Sequence, residues 1–257
     1  MLLKKGIRVA ILLAILGWVA VDSLADRLNT TDWEQPLWVG VYPINADGSA
    51  QTARYIASLT PDDFMAIEDW SRTEAARYGL ALAQPVRFRL GAPEAERPPL
   101  PPEDRSWFGT MRWSLVLRWW ADDHDRLPDG LKPDVRLFLL FHDPASNPRL
   151  PHSLGLQKGL VGIVHVFAHE RQAGGNRVVI AHELLHTLGA TDKYDLATNQ
   201  PRHPQGYADP LADPRYPQAF AEIMGGRIPV SPTESRIPPD IEATRVGPVT
   251  AAEIRWR

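Results

Sequence analysis

Two histidines and a glutamate, His182, Glu183 and His186, stand in the run Ala181-His-Glu-Leu-Leu-His-Thr-Leu-Gly-Ala-Thr-Asp192. On a helix, residues four apart lie on nearly one face, a turn from each other. Both imidazoles can therefore reach one ion at the ~2.0–2.1 Å of a Zn–N bond. Glu183 follows His182 directly and points off that axis, where a carboxylate can take a proton from a water on the ion without being a ligand. Gly189 comes three residues after His186, where a left-handed residue ends a helix and turns the chain back. Asp192, three further on, then falls under the same ion. Three protein ligands with an open fourth position is the arrangement of a catalytic zinc rather than a structural one.

Other donors compete for these roles. With 8 His in the chain, chance alone would produce H-E-x-x-H in about one such sequence in a hundred, so the Gly189 and Asp192 sequel matters. Glu222 could instead supply the third ligand from a distance, although the tight spacing to Asp192 already satisfies the three-ligand requirement. Asp192, Tyr194 and Asp195 alternate too briefly for a calcium loop. Asp122, Asp123, His124 and Asp125 read as a solvated helix end. His165 and His169 read as ordinary residues in and just after a strand, ahead of the alternative that either lines a substrate cleft, and Tyr194, Tyr207 and His203 are candidate donors to a developing oxyanion.

The elements that must position these groups are legible from periodicity. Leu37–Ile44 is a β-branched and aromatic run, hence a strand. Asp62–Gly79 carries Phe64, Ile67, Trp70, Ala75 and Tyr78 at helical spacing and stops at a glycine. Val86–Leu90 alternates as a strand with one wet face. Residues 91–105 hold five prolines and must be a loop. Ser106–Asp123 is a second helix, with Trp107, Trp113, Leu117 and Trp120 expected in the core. Val135–Phe141 and Leu160–Phe167 are strands, and Arg177–Leu188 is the helix that carries the His pair on an apolar back. After Ala190, Pro and Gly recur to the C-terminus, so an α/β body (37–190) is followed by a loop-rich lower portion (191–257).

Composition bounds the rest. The 257 residues hold 28 Lys+Arg and 31 Asp+Glu, for a formal charge of −3, with 24 Pro and no Cys. The length is ample for a real core, and the apolar content argues against wholesale disorder. Without a basic balance or a Lys/Arg-rich run, nucleic acid is not expected as a partner. The absence of Cys excludes disulfides, thiolate metal sites and a thiol latency switch. Lys4, Lys5 and Arg8 precede an apolar run from Val9 to Val21, and Ser23-Leu24-Ala25 offers a small-x-small cleavage site. Residues 1–25 are thus expected to be an export signal or a retained anchor that attaches residues 7–24 to a membrane. The expected location is extracytoplasmic, periplasmic or secreted.

The run His182–Asp192 resembles the signature HExxHxxGxxH/D of the metzincin zinc metallopeptidases, in the Asp-ended form of the snapalysin-like proteases. Glu222-Ile223-Met224-Gly225-Gly226 is similar to the Met-containing turn of that family, with Met224 in the Met position. The order strand, helix, strand, helix, two strands, active-site helix is also similar to the family's upper subdomain. The resemblance implies an α/β (α+β), zincin-like fold: a mixed sheet, an active-site helix and a loop-rich C-terminal subdomain. It implies Zn²⁺ on His182, His186 and Asp192, Glu183 as general base, and a peptide or protein substrate hydrolysed through a metal-activated water. Two departures stand out: Asp192 replaces the usual third His, and no Tyr directly follows Met224. Three alternatives remain open. They are a membrane-tethered interaction protein with a structural zinc, metal-assisted hydrolysis of a non-peptide bond, and a gluzincin-like hydrolase with Glu222 as third ligand. Loops 91–105 and 195–221 are the segments long enough to cover a cleft.

Overall fold

The apolar run after residue 36 becomes β1 (Leu37–Asn45) in the computed structural model, which describes residues 30–102, 106–128 and 130–257. Strand β1 pairs in parallel with β2 (Val86–Leu90) on one side and with β3 (Val135–His142) on the other. Beyond β3, a short strand, β4 (Leu154–Leu156), and β5 (Val161–Phe167) complete the sheet. Strand β5 is parallel to β3, while β4 runs antiparallel to β5 at the outer edge, giving the order β2-β1-β3-β5-β4. Strands β1 and β3 are covered on both faces, which is why they are apolar at nearly every position. The edge strand β2 keeps Arg87 exposed between buried Val86 and Phe88.

Helices lie on both faces. The α-helices α1 (Ala50–Ser58) and α2 (Met65–Arg77), the latter entered through a 3-10 turn at Pro61–Phe64, pack on the face that presents Val39, Val41, Leu137 and Leu139. The opposite face, with Tyr42, Ile44, Phe138 and Leu140, is covered by α3 (Trp107–Asp123) through Leu117 and Ala121. This alternation along β1 and β3 is the period of two that a pleated strand imposes. Helix α4 (Ala173–Thr187) joins the first face and carries the His pair.

The tryptophan-rich helix corrects one expectation. Trp107 is 78% exposed, and only Leu117 and Ala121 of α3 are fully buried. Trp113 and Trp120 flank the inner cluster, with Trp120 against Phe138 at 4.6 Å between ring centroids and Trp113 Nε1 donating to the Pro99 carbonyl at 2.8 Å. The outer face carries Phe108, Val116 and Trp119, all exposed. A helix that is apolar all round has no stripe to declare which side faces inward, so spacing located the helix but misassigned its core. Helix α1 and strand β4 were not expected. The first buries only Thr52 and Ile56, and the second has three residues, too few for a period.

From 191 onward the chain forms β6 (Ala221–Glu222), β7 (Ile228–Pro229), β8 (Ser235–Arg236), β9 (Thr244–Arg245) and a short helix, α5 (Pro248–Glu253). Its side chains Ile223, Met224, Ile241, Val246, Ile254 and Trp256 belong to the same apolar cluster as α4 and the sheet, so the two portions share one core. Trp33 closes that core from the other end of the described chain. It donates from Nε1 to the Ile254 carbonyl at 2.8 Å and meets Trp256 edge to face. The expected signal or anchor, residues 1–25, lies outside the described residues. Among those described, no helix is long and apolar enough to cross a membrane.

Candidate metal centre

Helix α4 is held at three points, each traceable to a residue type. Asn176 clamps the end of β5 by accepting from Phe167 N–H at 3.0 Å and donating to Phe167 C=O at 2.8 Å. Arg177 makes a forked pair with Asp240. Gly155 of β4 lies against the middle of the helix, where a Cβ would clash with the Glu183 carbonyl oxygen and sit 2.5 Å from His186 Cβ. Only glycine lets the edge strand approach so closely. The helix ends as its sequence demands: Gly189 has φ +102°, and Ala190 N–H returns to the Leu185 carbonyl at 3.0 Å, a left-handed stop.

The reversal brings Asp192 back under the helix. One carboxylate oxygen, Oδ1, lies 3.2 Å from His182 Nε2 and 3.2 Å from His186 Nε2. Among the described residues these are the three side chains whose donor atoms converge, all within 4.8 Å of one another. Each imidazole is oriented by its other nitrogen: His182 Nδ1 is 3.0 Å from the Ile223 carbonyl and His186 Nδ1 is 2.8 Å from the Ala190 carbonyl. A carbonyl can only accept, so each Nδ1 carries a proton, and both Nε2 atoms face Asp192. Four ligands placed tetrahedrally at ~2.0–2.1 Å stand about 3.3–3.4 Å apart, close to the two observed separations. A divalent cation such as Zn²⁺, if bound, would be held here by His182, His186 and Asp192.

Glu183 lies in the same cleft as His182. Its side chain is buried, and Oε2 has no hydrogen-bond partner. Burial raises its pKa, a shift opposed by the neighbouring imidazoles and by the Gly155 N–H. An unpaired buried carboxylate oxygen costs free energy unless something polar occupies the space beside it. Asp192 behaves oppositely. Burial would raise its pKa, but the two imidazoles together hold it well below the usual carboxylate range.

The turn at 222–226 forms the floor. Gly225 and Gly226 N–H both return to the Glu222 carbonyl, at 2.9 and 3.0 Å, and Met224 is fully buried. Its neighbours do the positioning: the Ile223 carbonyl holds His182, and the Met224 carbonyl accepts from Lys193 N–H at 2.9 Å, beside Asp192. Glu222 is not one of the converging donors. Its carboxylate is spent on Gly225 N–H at 2.8 Å, Gly247 N–H at 3.0 Å and the Thr250 hydroxyl at 2.6 Å, with no exposure. It locks the turn from behind, which removes the geometric basis for a distant-glutamate ligand set.

The remaining candidates separate by position. Tyr194 lines the same cleft as His182 and Glu183; burial, together with the Asp192 carboxylate to which its hydroxyl donates, pushes its phenol up to about 12, so it is neutral there. Tyr207 and His203 instead pair with each other and with loop groups, Tyr207 Oη at 2.7 Å from Tyr216 Oη and His203 Nε2 at 3.2 Å from the Pro210 carbonyl. Asp195 accepts from Ala197 and Thr198 N–H as a turn former. The acidic cluster at the C-terminal end of α3, read as solvated, is only partly so: Asp122 pairs with Arg136, whereas His124 is buried and the largely buried Asp125 carboxylate accepts from the Tyr42 hydroxyl. His169 caps a 3-10 turn by accepting from Arg171 N–H. His165, read as an ordinary strand residue, lines the cleft. Its Nδ1 is 2.9 Å from His142 Nε2, and burial lowers its pKa to about 4.

The cleft, of about 350 Å³, is also lined by His152, Asn199 and Arg227, and Gly155 packs behind it; sequence reasoning singled out none of them. Arg227 follows directly on the Met224-Gly-Gly turn, which was the available signal. Gly155 and His152 had none, because only the fold of β4 against α4 gives them a place. No protein-family model matches the chain, and no curated protein matches it.

Proposed function

We propose that the chain is an exported, zinc-dependent metalloendopeptidase of the metzincin type, zincin-like in fold, that hydrolyses peptide bonds. The carrying observation is the single oxygen of Asp192 at 3.2 Å from both His Nε2 atoms, next to a buried Glu183 oxygen without a partner. When bound, Zn²⁺ supplies Lewis acidity and lowers the pKa of a coordinated water from its bulk value toward neutrality. Glu183 accepts the water's proton at Oε2 as the scissile carbonyl is attacked, and then delivers it to the leaving amine. Its burial keeps the carboxylate basic enough for that exchange. Tyr194, held neutral, donates its hydroxyl hydrogen to the oxyanion. Strand β4 is the outer strand of the sheet, and its free edge offers backbone N–H and C=O groups to an extended peptide. Export rests on residues 1–25, as signal or anchor.

The test compares the full chain with its Glu183→Ala variant for bound metal and for cleavage of an unfolded protein. Both are expected to hold one equivalent of zinc, and only the parent to cleave. Zinc at full occupancy with an inactive parent would favour a tethered interaction protein with a structural ion. Failure of both to bind zinc would remove the metal reading.

A further inference from the structure

The cleft that contains His182 and Glu183 holds one Lys or Arg side chain, Arg227. It is half-buried, and among the described residues no carboxylate or carbonyl accepts from it. Apart from Glu183 Oε2, the other charged or metal-ligating groups of the centre have counterparts. The imidazoles have their carbonyls and Asp192, the Glu222 carboxylate has three donors, and Lys193 has Glu253. Arg227 and Glu183 face one cleft with opposite charges, yet form no ion pair with each other.

Its backbone is not free to swing away. On one side the turn is pinned by two N–H bonds to the Glu222 carbonyl, and Gly225 is pressed so close to Gly206 that a Cβ would sit 2.5 Å from the Gly206 carbonyl oxygen. On the other side Ile228 is buried and begins β7, which pairs with β8. A guanidinium presented on such a frame, partly desolvated and without a partner among the described residues, has its five donors committed to none of them. A planar carboxylate accepts two of them at once, in a fork that no neutral group matches.

We propose that Arg227 selects substrates carrying a carboxylate close to the scissile bond, either an acidic side chain or the peptide's own C-terminus. The inference rests on the peptidase reading of the site and names its substrate class. The residue acts in binding: it removes no proton and forms no bond.

The test uses the full zinc-loaded chain in a Glu183→Gln background, so that peptides bind without turnover, and reads fluorescence anisotropy of three matched labelled peptides. The first has an internal Glu and an amidated C-terminus. The second has Gln at that position and a free C-terminal carboxylate, and the third has Gln and an amidated C-terminus. One of the charged peptides is expected to bind at least about tenfold tighter than the neutral one, a factor ordinary for a charge-assisted hydrogen bond. Which of the two it is identifies the carboxylate source. Arg227→Gln is expected to erase the difference at an unchanged melting temperature, and Arg227→Lys to restore part of it. The proposal is overturned if the three peptides bind within twofold of one another, or if the preference survives Arg227→Gln. Cleavage of unfolded protein by the parent without any carboxylate preference would sink this inference and leave the peptidase reading standing. Carboxylate-dependent binding with no cleavage by the parent would do the reverse.

Discussion

Asp192 and Glu222 are two acidic residues with opposite employment, and their hydrogen bonds decide which is which. Asp192 is a third exposed and faces two imidazole nitrogens, whereas Glu222 is wholly buried and already accepts from three donors. Asp192→Asn should therefore weaken zinc binding by about a hundredfold or more, since even outer partners of metal ligands are worth 10–100-fold. Glu222→Gln should leave zinc stoichiometry at one. Its cost is structural, about 1–3 kcal/mol, because an amide nitrogen must then face a backbone or hydroxyl donor. Competition against a chelator measures the first and urea unfolding the second. Loss of zinc in the Glu222 variant with intact stability would reverse the assignment.

At the scale of elements, the site depends on a strand too short to be recognised by pattern. Gly155 is the contact between β4 and α4, and it leaves no room for even one methyl group. In Gly155→Ala the strand must withdraw from the helix, with an overpacking cost of about 1–3 kcal/mol. Because the Gly155 N–H also faces the Glu183 carboxylate, kcat/KM is expected to fall at least about tenfold while the zinc content stays at one equivalent. A variant with parent-like kcat/KM and an unchanged urea midpoint would show that β4 can shift without consequence. Helix α3 teaches the complementary lesson. Its aromatic residues specified a helix, but Leu117 and Ala121 are the side chains that seat it, and Phe108, Val116 and Trp119 remain in solvent.

Across the whole molecule, the centre ties distant segments together. Helix α4, the 190–195 segment and the 222–226 turn meet at His182, His186 and Asp192, through the carbonyls of Ala190, Ile223 and Met224. Glu253 of α5 reaches the same region through Thr191 and Lys193. An ion bound only by the folded chain stabilises it by mass action, about 2.7 kcal/mol at a hundred times its Kd. Chelation should therefore lower the melting temperature by several degrees, and added zinc should restore it. Asp192→Asn should show a much smaller shift between the two conditions. Differential scanning calorimetry with and without chelator checks this, and identical transitions would mean that no ion is coupled to folding.

The local geometry was legible in the sequence because it is carried by short-range spacing. Helical spacing puts His182 and His186 on one face, Gly189 must reverse the chain, and the buried strands β1, β3 and β5 declare themselves by continuous apolar runs. What only the tertiary structure decided lies between segments far apart in the chain. It committed the Glu222 carboxylate to the turn and away from His182 and His186, turned the outer tryptophans of α3 to solvent, and set Gly155 against Glu183. It also brought His165 and Arg227, more than sixty residues apart, into one cleft. Spacing can tell which side chains share a face of one element, but not which faces of different elements meet. That choice is made by the packing of all of them around a common core.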